Sequence, residues 1–277
     1  MMTSKYISPG GWFSLEYPVA WSEFEDSEGT FLFYNPNEWC GNFRISAYRD
    51  IAKDYAKQCI DYELNRNKES KRVKVGEWEC AYCSETFIEK GTWYTSHIWI
   101  TGQGNTSIEC SFTVIKGEEY SIAEEMIRSI HIRTNKDFTK KEIIPVRVME
   151  ISEINDAFEW TSTTIKKTLT KDFTSQESDI ERIQKVMDLG TIKSDQRIAW
   201  ERLGLAFGTI LENEIDGMNW VTVIEGRKEY AALQFKHSSL LIDPANLLWE
   251  KIKSHQSCNL SHEFEQIKNK VEQVLNQ

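Results

Sequence analysis

Three long alternating segments in the first half of the chain place the strongest constraint on its fold. Apolar and polar residues alternate along Trp78 to Glu89, Thr92 to Thr101 and Thr106 to Ile115. A period of two is typical of β-strands. Short links that contain glycine, Lys90-Gly91 and residues 102–105, join the segments in order. The pattern therefore predicts an antiparallel meander of three strands.

Shorter strands and two helices are predicted around this meander. The strands come first, over residues 12–17, 30–35 and 43–48, and a helix over residues 51–66 follows them. A second helix, over residues 118–129, comes after the meander. Because each helix has an apolar stripe, both are predicted to cover the sheet. The first half is thus predicted to be an antiparallel sheet flanked by helices.

The second half is predicted to be a separate domain. Residues 135–145 are polar and charged and end in a proline, which is typical of a domain boundary. We therefore predict domains over residues 1–136 and 146–277. The second is expected to contain helices at 152–169, 174–190 and 195–215, a hairpin and short strand within 219–242, and helices at 246–253 and 260–275. These elements define a helix-rich α+β domain with a small antiparallel sheet.

Two local signals refine the second half. Thr174 to Glu177 has the pattern of a capping box that opens a helix. Gly204 and Gly208 lie four residues apart within the third predicted helix, where each glycine costs about 1 kcal/mol relative to alanine. We therefore predict that another element packs closely against the backbone along that stripe.

Charge and hydropathy disfavour two classes of partner, nucleic acids and membranes. The chain carries 33 basic and 43 acidic side chains, which gives a net charge of −10. An acidic surface repels phosphate backbones, so a nucleic-acid partner is not expected. The N-terminal residues lack an apolar signal region, and no run approaches the roughly 18 apolar residues of a spanning helix. The sequence therefore predicts a cytoplasmic protein without a membrane partner.

The cysteines do not form a recognisable metal or redox motif. The C-x-x-C pair, Cys80 and Cys83, falls inside an alternating strand, so a period of two directs the two thiols to opposite faces. Free buried thiols are expected instead. The sequence also contains no phosphate-binding loop, nucleophile elbow or zinc-protease motif. No catalytic residue, metal site or cofactor is predicted.

Trp93, His97 and Trp99 are the candidate binding residues. They share one face of the strand Thr92 to Thr101, where two indoles flanking an imidazole could line a ligand groove. The alternative is a sheet face packed under a helix, with His97 hydrogen-bonded. A catalytic pair of His97 with Cys83 or Cys110 is a further alternative.

The opening of the chain resembles PsbP-like domains. The resemblance is carried by Gly11 to Trp21, which reads G-W-F-S-L-E-Y-P-V-A-W, and by Thr30 to Pro36 and Gly41 to Tyr48. It implies an antiparallel sheet between helices over residues 5–133. Members of that superfamily tend to be accessory, chaperone-like or partner-binding proteins, so the resemblance implies binding and names no catalytic residues.

The second half resembles a bacterial domain of unknown function. The matching features are Leu203 to Gly208 on a helix, Asn219-Trp220-Val221 at the start of a hairpin, and Leu240 to Pro244 before a helix. This resemblance implies no activity.

These observations favour a non-enzymatic binding or adaptor protein of the bacterial cytoplasm, with a chaperone- or immunity-type protein partner. The alternative is a small-molecule binder or hydrolase that uses a groove around Trp93, His97 and Trp99. A structural module of a larger assembly is a third interpretation.

Overall fold

A computed structural model describes residues 2–26 and 29–276 of the chain. It is an α+β protein with antiparallel sheets, as the sequence predicts. The chain divides into two compact units. The first runs to Ile144 and includes Glu225–Arg227, and the second comprises Pro145–Ile224 and the chain from Lys228 onward.

The first unit is built mainly from strands. Its strands are β1 (Thr3–Ile7), β2 (Phe13–Pro18), β3 (Ser22–Asp26), β4 (Thr30–Tyr34), β5 (Asn42–Arg49), β6 (Lys71–Val75), β7 (Trp78–Glu89), β8 (Thr92–Gln103), β9 (Thr106–Ile115) and β10 (His131–Ile132). Two helices, α1 (Tyr55–Arg66) and α2 (Ser121–Arg128), complete it. Seven strands form one sheet in the order β3-β4-β5-β9-β8-β7-β6, and β1, β2 and β10 form a smaller sheet.

The two faces of the seven-stranded sheet are covered differently. The face that carries Trp99 and Phe112, here called the inner face, packs against α2 and the small sheet, and these layers enclose an aromatic core. The opposite face, here called the outer face, carries Ile98 and Ile100, and α1 covers only the part of it around Ile100. Much of the outer face is therefore left open beyond α1.

Four strands of the first unit were not predicted. They are β1, β3, β6 and β10, so the predicted order of three strands, helix, three strands and helix is incomplete. Each is short or rich in polar residues, and β6 reads Lys-Arg-Val-Lys-Val, which resembles a solvated basic segment. Pairing with a longer neighbouring strand stabilises them, and single-sequence periodicity does not record that pairing.

The second unit is built mainly from helices. They are α3 (Val148–Leu169), α4 (Ile180–Asp188), α5 (Arg197–Glu214), α6 (Pro244–Lys253) and α7 (Leu260–Leu275). Its strands β12 (Met218–Glu225), β13 (Lys228–Phe235) and β14 (Leu241–Ile242) lie side by side in that order. The predicted boundary segment contains a short 3₁₀ turn, Asp137–Thr139, and the strand β11 (Lys141–Pro145).

The predicted capping box is displaced by two residues. The reciprocal pair is Gln176 with Asp179, not Thr174 with Glu177, and it opens a 3₁₀ turn that leads into α4. A carboxylate oxygen of Asp179 accepts hydrogen bonds from the backbone N–H and the hydroxyl of Thr174, at 2.6 and 3.0 Å. The same oxygen accepts from the backbone N–H of Gln176 at 3.3 Å. Because hydrogen bonds to an ionised carboxylate are stronger than those to a hydroxyl, the reciprocal pair forms around the buried Asp179.

The glycines of α5 lie where a second helix approaches. An ideal Cβ on Gly204 would lie 2.3 Å from the carbonyl oxygen of Pro244 and 2.8 Å from Cα of Ala245, both in the backbone of α6. On Gly208 it would meet the rings of Trp220 and Pro244. The close backbone packing predicted from the glycine spacing is therefore confirmed.

Substituting Gly204 with alanine is expected to destabilise the protein. Helix propensity alone would favour alanine by about 1 kcal/mol. The atoms that an added Cβ would meet belong to the backbone of α6, which cannot relieve the contact by a rotamer change as a side chain can. Overpacking of this kind lowers the free energy of unfolding by about 1–3 kcal/mol. We expect Gly204→Ala to lower the urea midpoint of the unfolding transition. An unchanged or raised midpoint would contradict the packing described.

Candidate functional site

β7 and β8, with 12 residues each, are the longest strands described in the first unit, and they form a hairpin. Its turn residues Lys90 and Gly91 both have positive φ, 48° and 85°. Two such residues are typical of a type I′ turn, whose twist matches that of the flanking strands. The turn fixes the register, so Phe87 lies opposite Tyr94 and Ser84 lies opposite His97. Alternate residues of each strand then share one face.

The three predicted binding residues share the inner face but differ in exposure. Trp93 is 52% exposed, whereas His97 is 8% and Trp99 only 1% exposed. Nζ of Lys116 lies 5.3 Å from the centre of the Trp93 ring. Only Trp93 therefore presents substantial surface, and Trp99 belongs to the aromatic core.

His97 is held by aromatic neighbours. Its Nδ1 lies 2.8 Å from the hydroxyl oxygen of Tyr82, and its ring stacks on Tyr120 at 4.0 Å between ring centres. Burial lowers the pKa of His97 below its ordinary value of 6.5. The packed arrangement corresponds to the alternative in which a sheet face lies under other elements with His97 hydrogen-bonded.

The lowered pKa of His97 predicts a loss of stability in mild acid. The folded protein binds a proton at His97 less readily than the unfolded chain, whose ordinary pKa is 6.5. Its contribution is therefore complete above about pH 6.5 and is lost as the pH falls through the lower folded value. Between pH 7 and pH 5, we expect the urea midpoint of the wild type to fall further than that of His97→Asn. Parallel curves would contradict this assignment.

The cysteines near His97 are not placed to serve as its nucleophile. Cys83 lies on the outer face, opposite Ile98, while Cys80 lies on the inner face, so the predicted separation of the C-x-x-C pair is confirmed. Cys110 is fully buried opposite Trp99, and burial raises its thiol pKa well above the ordinary value. Burial also raises the pKa of the Cys83 thiol. Both changes disfavour the thiolate that nucleophilic catalysis requires.

The open part of the outer face carries a cluster of exposed apolar side chains. Its members, here called the Phe87 cluster, are Trp39, Phe87, Tyr94 and Ile115. Tyr94 stacks on Phe87 with 5.7 Å between ring centres, and it lies nearly perpendicular to Trp39 with 6.0 Å between ring centres. Ile115 lies opposite Tyr94 in register, and Trp39, Phe87 and Ile115 are each 40–41% exposed. These four side chains form one contiguous patch of rings and an aliphatic side chain on the outer face.

Sequence reasoning missed the Phe87 cluster, although part of the signal was available. The two-residue turn at Lys90-Gly91 defines the register, and that register pairs Phe87 with Tyr94. Trp39 comes from the segment between β4 and β5, where its indole N–H donates to Oδ1 of Asn42 at 2.7 Å. Its approach to Tyr94 depends on the order of strands in the sheet, which local patterns do not record.

A cleft of about 1040 Å³ lies between α1 and the outer face. Cys59 and Glu63 line the helix side, and Cys83, Ile98 and Ile100 line the sheet side. Oε1 of Glu63 accepts hydrogen bonds from Asn67 and Ser70, at 3.1 and 2.9 Å. This carboxylate therefore holds the segment that follows α1.

The second unit contains a buried ionic network at the start of α3. Arg147 immediately precedes the helix. Its Nε–H donates to Oε2 of Glu150 at 2.9 Å, and its Nη2 donates to Oε1 of the same carboxylate. The same Nη2 also donates to Oε2 of Glu229 at 2.8 Å. The hydroxyl of Thr222 accepts from the backbone N–H of Arg147 at 3.1 Å and donates to Glu150 at 2.8 Å. Burial acts to lower the pKa of Arg147, but both carboxylates outweigh it and raise that pKa. The network joins α3 to β12 and β13.

Neither a metal cluster nor a spanning helix is found in the part of the chain that the structure describes. Over residues 2–26 and 29–276, no three histidine, cysteine, aspartate or glutamate side chains are grouped to hold a metal ion. Across the same ranges, no helix combines the length and apolarity needed to cross a membrane.

The fold and its surface define a two-domain α+β protein with an open sheet face. Residues 1–155 match the family described as Domain of unknown function (DUF3805), and the chain belongs to this family. Residues 179–264 match a second family, Domain of unknown function (DUF3806). The prediction that the second half matches a domain of unknown function is thus confirmed.

Solved structures that match this chain include one that aligns over nearly its whole length and one that aligns over about half of it. A protein from Bacteroides thetaiotaomicron VPI-5482, with a crystal structure at 1.50 Å resolution, is 46% identical, and the match covers 96% of this chain and 98% of that chain with a TM-score of 0.92. LpqN, involved in cell envelope biogenesis of Mycobacterium tuberculosis, is 10% identical over 48% of this chain and 87% of that chain, with a TM-score of 0.31. No curated protein matches the chain.

Proposed function

We propose that the protein is a non-enzymatic binding protein whose first unit binds a protein partner through the Phe87 cluster. The observation that carries this proposal is the open apolar patch formed by Trp39, Phe87, Tyr94 and Ile115 on the outer face. Aromatic side chains are enriched in the buried centres of protein interfaces. Burying these rings against a partner would remove them from water.

The charges around the cluster favour a basic partner over a second copy of the chain. Glu85 and Glu89 flank Phe87 on the outer face of β7, and both are exposed. The whole chain carries a net charge of −10, so two copies repel each other. Lysine or arginine side chains around an apolar centre would complement this surface.

The resemblance of the first unit to PsbP-like domains supports an accessory, partner-binding role by analogy of fold. It fits a chaperone- or immunity-type protein of the bacterial cytoplasm. The acidic surface and the covered thiols near His97 agree with binding in place of catalysis.

Position-specific photo-crosslinking tests the proposal. A benzoylphenylalanine is introduced at position 87 of the full chain, expressed in the source bacterium and irradiated. The matched control carries the same group at position 198, because Ile198 is an exposed apolar residue of α5 in the second unit. The crosslinked protein is identified, purified and mixed with the wild-type chain.

We expect one protein to crosslink from position 87 and not from position 198, and to form a stoichiometric complex when purified. Phe87→Ser is expected to weaken that complex at least about tenfold, the loss of about 1.4 kcal/mol typical of a central aromatic contact. Crosslinking only to a second copy, or equal crosslinking from both positions, would overturn the proposal.

A small-molecule site around Trp93, His97 and Trp99 is the alternative. Its support is the exposed indole of Trp93 on the same sheet face as His97, whose pKa burial lowers, although Trp99 lies in the core. A ligand screen by tryptophan fluorescence tests it. Quenching that His97→Ala abolishes in a folded protein would favour this alternative over the protein-binding role.

A further inference from the structure

Half of β7 has a free edge. The strand Trp78–Glu89 pairs with β8 along Ala81 to Glu89, but its other neighbour, β6, pairs only with Trp78 to Tyr82. Among residues 2–26 and 29–276, no strand pairs with the opposite side of Cys83 to Glu89. A free edge of seven residues is a template onto which another strand can be added.

The turn geometry shows which backbone groups point outward at this edge. In a two-residue hairpin the residues that flank the turn, Glu89 and Thr92, form a hydrogen-bonded pair, and such pairs alternate along the ladder. The N–H and C=O groups of Ser84, Thr86 and Ile88 therefore point away from β8. The same alternation directs Trp78, Cys80 and Tyr82 toward β6, in agreement with the observed pairing.

β6 pairs with the other half of this edge, and its sequence indicates which side chains a strand at the free half would need. β6 reads Lys-Arg-Val-Lys-Val, and the guanidinium of Arg72 forms ion pairs with Glu79 of β7 and with Asp61 of α1. Beyond β6 the outer face of β7 continues with Glu85, Phe87 and Glu89. The free half thus repeats the acidic character of the half that β6 covers and adds an aromatic ring between two carboxylates.

We infer that the partner adds a β-strand to the free edge of β7 at Cys83 to Glu89. The added strand carries lysine or arginine at two positions four residues apart, opposite Glu85 and Glu89, and an apolar residue between them against Phe87. Main-chain hydrogen bonds to Ser84, Thr86 and Ile88 supply the pairing, and the side chains supply the selectivity. The inference rests on the proposed function and specifies how its partner binds.

A second copy of the chain does not meet these requirements. An antiparallel pair of two β7 edges would bring Glu85 and Glu89 of each copy onto one shared face, and four carboxylates on neighbouring strands repel each other. These glutamates also protect the edge from self-association. They therefore select a basic strand from a different protein.

Peptide titration of the full ¹⁵N-labelled chain, followed by amide chemical shifts, tests the inference. The probe is the seven-residue peptide T-K-T-V-T-K-T. The control peptide has glutamate in place of both lysines. Two variants at one site separate strand addition from simple contact with the face. Thr86→Pro removes an outward N–H without removing a bond to β8, and Thr86→Val keeps that N–H.

We expect saturable shifts confined to residues 83–89 and their neighbours on β8. The glutamate peptide and Thr86→Pro are each expected to weaken binding about tenfold or more, while Thr86→Val binds as the wild type does. The absence of saturable shifts at millimolar lysine peptide would overturn the inference, and so would equal binding by Thr86→Pro. If crosslinking from position 87 still succeeds in either case, strand addition fails and the proposed function stands.

Discussion

Replacing Arg147 with methionine is expected to lower the free energy of unfolding of the second unit by about 3–5 kcal/mol. The guanidinium is 1% exposed and is the shared donor to Glu150 and Glu229. Without it, two carboxylates are left near each other in a buried site without a compensating charge. Calorimetry of the full chain measures the effect, as a fall in the temperature of one unfolding transition.

Two further variants separate the buried network from charge in general. Lys228→Met removes an ion pair in which Nζ of an exposed lysine lies 3.9 Å from the carboxylate of Asp243. We expect it to change the free energy of unfolding by less than about 1 kcal/mol. Arg147→Met combined with Glu150→Met removes both partners of the closest pair and is expected to recover part of the loss. A loss below about 1 kcal/mol for Arg147→Met alone would contradict the role assigned to the network.

Truncating Trp21 to alanine is expected to cost about 3–5 kcal/mol in the first unit. The indole is buried and stacks on Phe112 of the inner face, with 6.4 Å between ring centres and 12° between planes. The cavity left behind would face the aromatic core, which relaxes only in part. A urea titration of the full chain, followed by tryptophan fluorescence, measures the loss.

Trp93→Ala is the matched control for Trp21→Ala. Trp93 lies in the same unit but is half exposed, so its truncation is expected to cost less than about 1 kcal/mol. Equal losses for the two variants, or a loss under about 1 kcal/mol for Trp21→Ala, would show that Trp21 is not a core anchor.

The hairpin and the helix glycines illustrate how far the sequence alone reaches. The bounds of β7 and β9 were predicted to the residue because turn residues with positive φ end each alternating run. Gly204 was interpreted correctly because a glycine in a helix interior is costly unless a backbone approaches it. Both signals are local in the sequence.

Neither the buried ionic network nor the Phe87 cluster could be predicted from such local signals. Arg147 meets Thr222 and Glu229 at separations of 75 and 82 residues, which no local pattern records. The predicted binding face of Trp93, His97 and Trp99 has the right alternation, but the sequence does not show which face of a sheet is covered. The structure places helix and core on the side of Trp99 and leaves the Phe87 cluster open.

Amide hydrogen exchange of the full chain, alone and with the partner identified by crosslinking, tests most directly the claim that the outer face of β7 is the binding surface. We predict slower exchange at residues 83–89, strongest at the outward N–H groups of Ser84, Thr86 and Ile88, with no change along α5. Protection at the inner face around Trp93 and His97, or in the second unit with β7 unchanged, would contradict it.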